Sequence, residues 1–227
     1  MSTSPKPARG PGRPKAGDTV DAVEILDAAL RAFARHGFDG MSVRTINREL
    51  GVSHNLIHQR FGSKVDLWRA AVDHGFGGLV RHMEGVFDPT LTDPLDQLNL
   101  AIRHFLIFSA EHPELLGLMN IEARQDTERL GYIYERYIAP SLAGTGRLLE
   151  HLVAEGRIRK MPLRTFHFLV AHGASAPFTL TPLARRFDTR SPLKPKAVRE
   201  HATLIADLLI AGLRLDADQA GVRQRKT

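Results

Sequence analysis

Residues 54–59 read HNLIHQ, and four of the six carry short hydrogen-bonding groups: His54, Asn55, His58 and Gln59. Two kinds of chemistry suit such a set. Carboxamides and imidazoles donate to and accept from base edges and phosphates. Alternatively, His54 and His58 have the i, i+4 spacing of a helical metal pair. No carboxylate stands between them and no third ligand lies nearby in sequence, so neither a metal nor a cofactor is expected. A third possibility is a merely solvated helix face. Catalysis finds little support: the chain has no Cys to serve as a thiolate nucleophile. It also lacks the G-x-S-x-G elbow, the Walker A loop, the Rossmann glycine fingerprint and H-E-x-x-H. An enzyme is not expected.

Composition narrows the partners. Thirty-one basic residues against 25 acidic ones give a formal charge of +6 over 227 residues. That balance favours polyanions as partners and says nothing of fold. Most of the bases are Arg, so a lone Arg carries little weight. With 43% hydrophobic residues, the chain can bury a substantial core. No apolar run reaches ~18–20 residues, and the N-terminus lacks a signal-peptide core. A soluble, cytoplasmic protein without membrane contact is the expectation.

The elements that must position residues 54–59 are helices. Val20, Val23, Leu26, Leu30 and Phe33 recur at three- and four-residue steps, so a first helix is expected over 20–36, ended by Gly37 in a left-handed conformation. Ser42 is placed to cap a second helix ending at Leu50, with Met41 and Ile46 at hydrophobic-staple spacing. Gly51 makes the turn. Ser53 is placed to cap a third helix, with Val52 and Ile57 as a second staple. Ser63 and Asp66 resemble a capping box that opens a fourth helix, whose "GFGG" at 75–78 suggests a bend, close packing or a helix end. Helix, glycine turn, short helix is a helix-turn-helix. At about 100° per residue, His54, His58, Asn55 and Gln59 share one side of the third helix, while Leu56, Ile57 and Phe61 share the other with Arg60. The apolar side packs inward and the polar side faces out.

Residues 22–69, AVEILDAALRAFARHGFDGMSVRTINRELGVSHNLIHQRFGSKVDLWRA, resemble the DNA-binding domain of TetR-family transcriptional regulators, on the strength of "HGFDG", "SVRTI", "GVS" and "FGSKVDL". The resemblance implies that the third helix enters the major groove. It makes Ser42, Arg44 and Lys64 phosphate-side contacts, with Arg44 in reach of a base. Ser53, His54, Asn55, His58 and Gln59 become the groove-facing set. Where relatives often have Gly-Thr-Leu-Tyr, this chain has Asn55, Leu56, Ile57 and His58, so no base preference transfers. Upstream, Gly12-Arg13-Pro14 is similar to the core of AT-hook peptides, which lay an Arg in a narrow minor groove. Arg13 is therefore either a DNA contact or part of a solubilising basic arm.

The expected architecture is all-α: an N-terminal three-helix helix-turn-helix DNA-binding domain and a larger C-terminal helical bundle. The expected divisions are a disordered basic arm at 1–17, the DNA-binding domain at 18–66, a helical effector-binding and dimerisation domain at 67–214, and a flexible tail at 215–227. Helical periodicity places further helices at about 95–111, 114–124, 128–155, 164–176 and 197–213, with Pro140, Gly144 and Gly146 bending or breaking the third of these and "LTPLARRF" adding a short one. The resemblance implies a small-molecule effector within this bundle and a homodimer formed by its last two long helices. Segments "FHFLVAHGASA" and "ATLIADLLIAGL" suit that role, although a monomeric core would look the same. Phe105, Phe108, Met119, Glu122, Tyr134, Tyr137, His167 and His172 lie on the helices that line the family's cavity and are the candidate effector contacts. The implied function is a repressor released from an inverted-repeat operator on double-stranded DNA by an unidentified effector. The rival is a sequence-tolerant architectural DNA-binding protein.

Overall fold

The computed structural model describes residues 20–53 and 55–215. The arm at 1–17, Arg13, His54 and the tail from 216 lie outside the described residues. Within them the chain is helical, no strand forms, and Ile158 meets Arg214 in an isolated antiparallel bridge.

The first helix, α1 (Ala22–Gly40), starts where Asp21 accepts from the Val23 N–H, and it continues past the expected stop. Gly37 is left-handed as expected (φ 69°, ψ 175°), but three more helical residues follow this kink. Helix α2 (Val43–Glu49) follows Ser42, whose backbone is extended as an N-cap's should be but whose hydroxyl makes no capping bond. Met41 and Ile46, the two halves of the staple, are both buried. Helix α3 (Leu56–Phe61) begins later than the sequence suggests. Ser53 does not cap it: the Ser53 carbonyl, not its hydroxyl, takes the Leu56 N–H at 3.1 Å, and Asn55 occupies the N-cap position.

Helix α4 (Lys64–Glu84) opens on a complete capping box. Ser63 Oγ accepts from the Asp66 N–H at 3.2 Å, and an Asp66 carboxylate oxygen accepts from the Ser63 N–H at 3.1 Å. Of the readings that "GFGG" allows, a helix end is excluded, since Gly75, Gly77 and Gly78 are all helical. Gly75 has a packing reason. A Cβ there would stand 2.4 Å from Leu115 Cδ2 and 2.8 Å from Leu30 Cδ1, whereas Gly78 has nothing nearer than 3.9 Å.

Beyond it lie α5 (Pro94–Glu111), α6 (Pro113–Glu122), α7 (Glu128–Ile133), α8 (Ala139–Ala154), α9 (Leu163–Phe168), α10 (Ala176–Thr179), α11 (Thr181–Phe187) and α12 (Pro195–Leu213). Residues 128–154 form one helical run, with a π-helical stretch at Tyr134–Ile138, where Pro140, Gly144 and Gly146 were expected to bend or break the helix. Proline has no N–H and its ring crowds the carbonyl four residues earlier; a widened π turn just before it relieves both. The same device recurs at Leu169–Ala174, ahead of Pro177, and splits the helix expected over 164–176.

Two apolar cores hold the chain together. The first gathers Ile25, Leu30, Phe33, Ile46, Ile57, Leu67 and Trp68 from α1–α4 with Leu115, Leu118, Met119 and Ile133 from α6 and α7. The second joins α5, α8, α9 and α12 through Leu98, Ile102, Leu149, Leu152, Phe166, Ala202, Ala206 and Ile210. Helix α4 ties the first core to α7 and the π turn after it, because Tyr132 and Tyr137 both donate to Asp73 Oδ1, Tyr132 at 2.7 Å and Tyr137 at 2.5 Å.

The glycines of α4 make a stability prediction. Gly78→Ala should raise unfolding free energy by about 0.5–1 kcal/mol, the helix-propensity gain of Ala over Gly. Gly75→Ala should lower it by about 1–2 kcal/mol, since overpacking against Leu115 and Leu30 outweighs that gain. Urea denaturation of the two variants checks the opposite signs; equal shifts would mean Gly75 is not a packing glycine.

Candidate nucleic-acid interface

Three helix ends meet at an open cleft of about 390 Å³, lined by Ser42, Val43, Arg44 and Asn47 of α2, Asn55 and His58 of α3, and Gly62, Ser63 and Lys64 at the start of α4. Each end is fixed by a different local device. The buried Ile46 anchors α2, so Arg44 and Asn47, three apart, face the cleft together. Leu56 and Ile57 are buried, which turns Asn55, His58 and Gln59 outward. The Ser63–Asp66 capping box sets the direction of α4 and puts Lys64 at its first position.

The side chains are poised in distinct ways. Lys64 Nζ lies 4.6 Å from the Phe38 ring centroid and 3.5 Å from the Asp39 carbonyl, so its ammonium is held at the rim with donor capacity to spare. Arg44 and Ser42 are exposed. His58 Nδ1 bonds the Gly62 carbonyl at 2.7 Å, and the Gly62 N–H donates to the His58 carbonyl at 2.9 Å. Gly62 sits at φ 80°, ψ −111°, a conformation that only glycine adopts readily. Arg60, on the same helix, bonds the Val20 carbonyl instead of the cleft. The Asp66 carboxyl is held below the usual carboxylate range by its side-chain and backbone bonds with Ser63, so this acid is already engaged by the cap.

Of the residues singled out in the sequence, Ser42, Arg44, Asn55, His58 and Lys64 converge on this cleft. Ser53 and Gln59 are exposed beside it without lining it. Asn47 was not anticipated, because a buried Asn inside a short helix reads as structural; its spacing from Arg44 was the available signal. Two cations and several uncharged donors and acceptors on one open face can bind a phosphate backbone and the base edges beside it. Among the described residues no cluster of three or more His, Asp or Glu could hold a metal ion.

The eight effector candidates do not share one place. Phe108 and Met119 are buried in the first core, with Tyr137 packed against it, while Phe105 packs on the second. Glu122 is buried and already paired, both of its carboxylate oxygens receiving Arg129 Nε at 3.0 and 3.1 Å. Tyr134 is largely exposed. Burial pushes the Tyr137 hydroxyl up to about 12, aided by its bond to Asp73. His167 and His172 lie 5.8 Å apart, centroid to centroid, and burial lowers both, with His172 Nδ1 2.9 Å from Asn120 Oδ1. A separate, mostly apolar cleft of about 430 Å³ lies between α8 and the 160–163 turn, lined by Leu149, Val153, Met161 and Leu163 with Glu150 and Lys160, and none of the eight faces it.

Comparison with known proteins bears on the same segment. Residues 25–71 match the family model for bacterial regulatory proteins of the tetR family. The chain is similar to the HTH-type transcriptional repressor AcnR of Corynebacterium glutamicum, 42% identical over 57 residues, which is 24% of this chain and 30% of that one. It is also similar to the fatty acid metabolism regulator protein of Bacillus subtilis, 26% identical over 135 residues, covering 59% and 66% of the two chains. The matches thus span about a third to two thirds of these curated relatives. Among solved structures, the ketosteroid transcriptional regulator KstR2 of Mycobacterium tuberculosis superposes with a TM-score of 0.68 at 16% identity, over 89% of this chain and all of that one. FadR of Bacillus subtilis in complex with stearoyl-CoA gives 0.61 at 18% identity, over 86% and 100%. Residues 25–71 thus match the tetR family model, and the fold of the chain is shared along most of its length with solved structures of transcriptional regulators.

Proposed function

We propose that this chain is a sequence-specific DNA-binding transcriptional regulator, a repressor released from a palindromic operator by a small-molecule effector. The observation that carries this is the cleft, where Arg44 and Lys64 flank Asn55 and His58 on one open face. In this function α3 enters the major groove, as the second helix of a helix-turn-helix does. Ser42, Arg44 and Lys64 hold phosphates, while Ser53, His54, Asn55, His58 and Gln59 face the bases. Arg13 of the basic arm reaches the adjacent minor groove. The name of AcnR supports repression, and that of FadR, solved with stearoyl-CoA, supports a ligand. The regulator acts on DNA in the cytoplasm.

Two-fold operators need a two-fold protein. Helix α12 leaves Leu204 and Leu208, four residues apart, 58% and 59% exposed, and Phe168 and Leu169 at the end of α9 are also exposed. These are the segments that the sequence marks for self-association, and they form the homodimer interface of this proposal.

Phosphate contacts are tested through salt. Arg44→Ala and Lys64→Ala should each weaken duplex binding and flatten the slope of log affinity against log salt by about one unit. Unchanged affinity and slope in the double variant would take the DNA away from this cleft. Deleting residues 1–17 should flatten the slope by a further unit or so, with a larger loss on A·T-flanked half-sites; identical binding of the truncated chain at low salt would remove Arg13 from the contacts. The interface is tested by Leu204→Arg combined with Leu208→Arg. Sedimentation should show a monomer with lost operator affinity, and a persistent dimer would put the interface elsewhere.

A further inference from the structure

His58 faces the cleft with one ring nitrogen already committed. Its Nδ1 lies 2.7 Å from the Gly62 carbonyl, which can only accept, so the ring proton sits on Nδ1. A neutral imidazole has a single N–H, and Nε2 is therefore left with a lone pair directed away from that carbonyl. The lock is well supported. Gly62 returns its own N–H to the His58 carbonyl at 2.9 Å, its φ of 80° suits only glycine, and the next residue is pinned by the Ser63–Asp66 capping box.

Resting on the DNA-binding function proposed above, we infer that His58 is a specificity-determining residue whose neutral form reads an exocyclic amine, that of cytosine or adenine, in the major groove. In that groove cytosine N4 and adenine N6 are the donors, whereas guanine N7 and O6 and thymine O4 are acceptors, and adenine adds an acceptor at N7 beside its amine. A lone pair at Nε2 bonds the first pair and is repelled by the second. Protonation converts Nε2 into a donor while Nδ1 keeps its bond to Gly62, so a base that offers an acceptor, guanine among them, is no longer penalised at that position. The charged groups around the cleft are Arg44 from α2 and Lys64 from α4, with Asp66 of α4 held in its cap and Arg60 of α3 bonded to the Val20 carbonyl. None of them supplies an acceptor for Nε2. A phenol or carboxamide at position 58 would carry its own O–H or N–H and could not make this switch.

Selection from a pool of random duplexes, at about pH 8 and about pH 5.5, on either side of the ordinary imidazole range, tests it. At the higher pH the wild-type chain should enrich cytosine or adenine at one position of each half-site, and His58→Leu should lose preference there alone. On purified duplexes of the selected sequence, guanine at that position should cost the wild type about tenfold in affinity at the higher pH and little at the lower. His58→Leu should show neither the cost nor its pH dependence. If wild type and His58→Leu select the same bases everywhere, or if the wild-type preference at that position is the same at both pH values, the inference is overturned while the DNA-binding function stands. If the wild type enriches no sequence at all, both fall. The pH comparison on the wild-type chain needs no variant, so a folding defect cannot mask the outcome.

Discussion

A helix of six residues has no stability of its own, because forming its first turn fixes several residues for one hydrogen bond. Helix α3 exists because Leu56 and Ile57, 6% and 1% exposed, are buried against the first core. Everything at the cleft depends on that burial. Two adjacent apolar residues fix the rotation of the helix, and the rotation decides that Asn55, His58 and Gln59 point outward. Glycines follow both short helices: Gly51 (φ 63°) after the Leu50 cap of α2 and Gly62 (φ 80°) as the cap of α3 both take a positive φ, which glycine adopts without strain.

Helix α4 extends this order into the rest of the molecule. Its first turn belongs to the cleft through Lys64, and its middle is gripped from two sides. His74 Nε2 meets Asp27 of α1 at 3.0 Å, and on the other side Asp73 receives the hydroxyls of Tyr132 and Tyr137. At the next residue, Gly75, the missing side chain lets Leu30 and Leu115 approach. Three helical glycines could mean a bend, close packing or a helix end in the sequence. In the fold the first is explained by close approach, and the helix runs through the other two unbroken.

Much of the cleft was legible because it rests on short-range rules. The staple of Met41 and Ile46, the capping box of Ser63 and Asp66 and the left-handed Gly37 all involve residues at most five apart, and each stands as its residue types imply. Ser53 misled because a serine before a helix can give either its hydroxyl or its carbonyl to the first free N–H, and here it gives the carbonyl. The π turns ahead of Pro140 and Pro177 were not legible, since a proline in a helical pattern can be met by a break or by a widened turn, and packing decides. Effector candidates were the least legible. Aromatic and Met side chains look alike at the wall of a cavity and in a solid core, and Phe108 and Met119 belong to the core. Glu122 looked free in the sequence because its partner, Arg129, lies across the turn between α6 and α7.

That pair also shows how the second region meets the first. Arg129, fixed by the buried Glu122 carboxylate, places its guanidinium carbon 4.4 Å from the Phe38 ring centroid, and Lys64 Nζ lies 4.6 Å from the same centroid. Two cations thus share one aromatic ring just after the Gly37 kink, one arriving from α7 and the other from the first residue of α4. A ring between two cations gains from each, but the cations repel one another, and the arrangement holds only because each has a second partner: Glu122 for Arg129 and the Asp39 carbonyl for Lys64. Glu122 is the buried member, so removing Arg129 would strand a carboxylate in the core at a cost of about 3–5 kcal/mol. The kink at Gly37 is what brings Phe38 and Asp39 to this point. One left-handed glycine in α1 therefore sets where Lys64 stands at the rim of the cleft, and ties that position to the turn between α6 and α7.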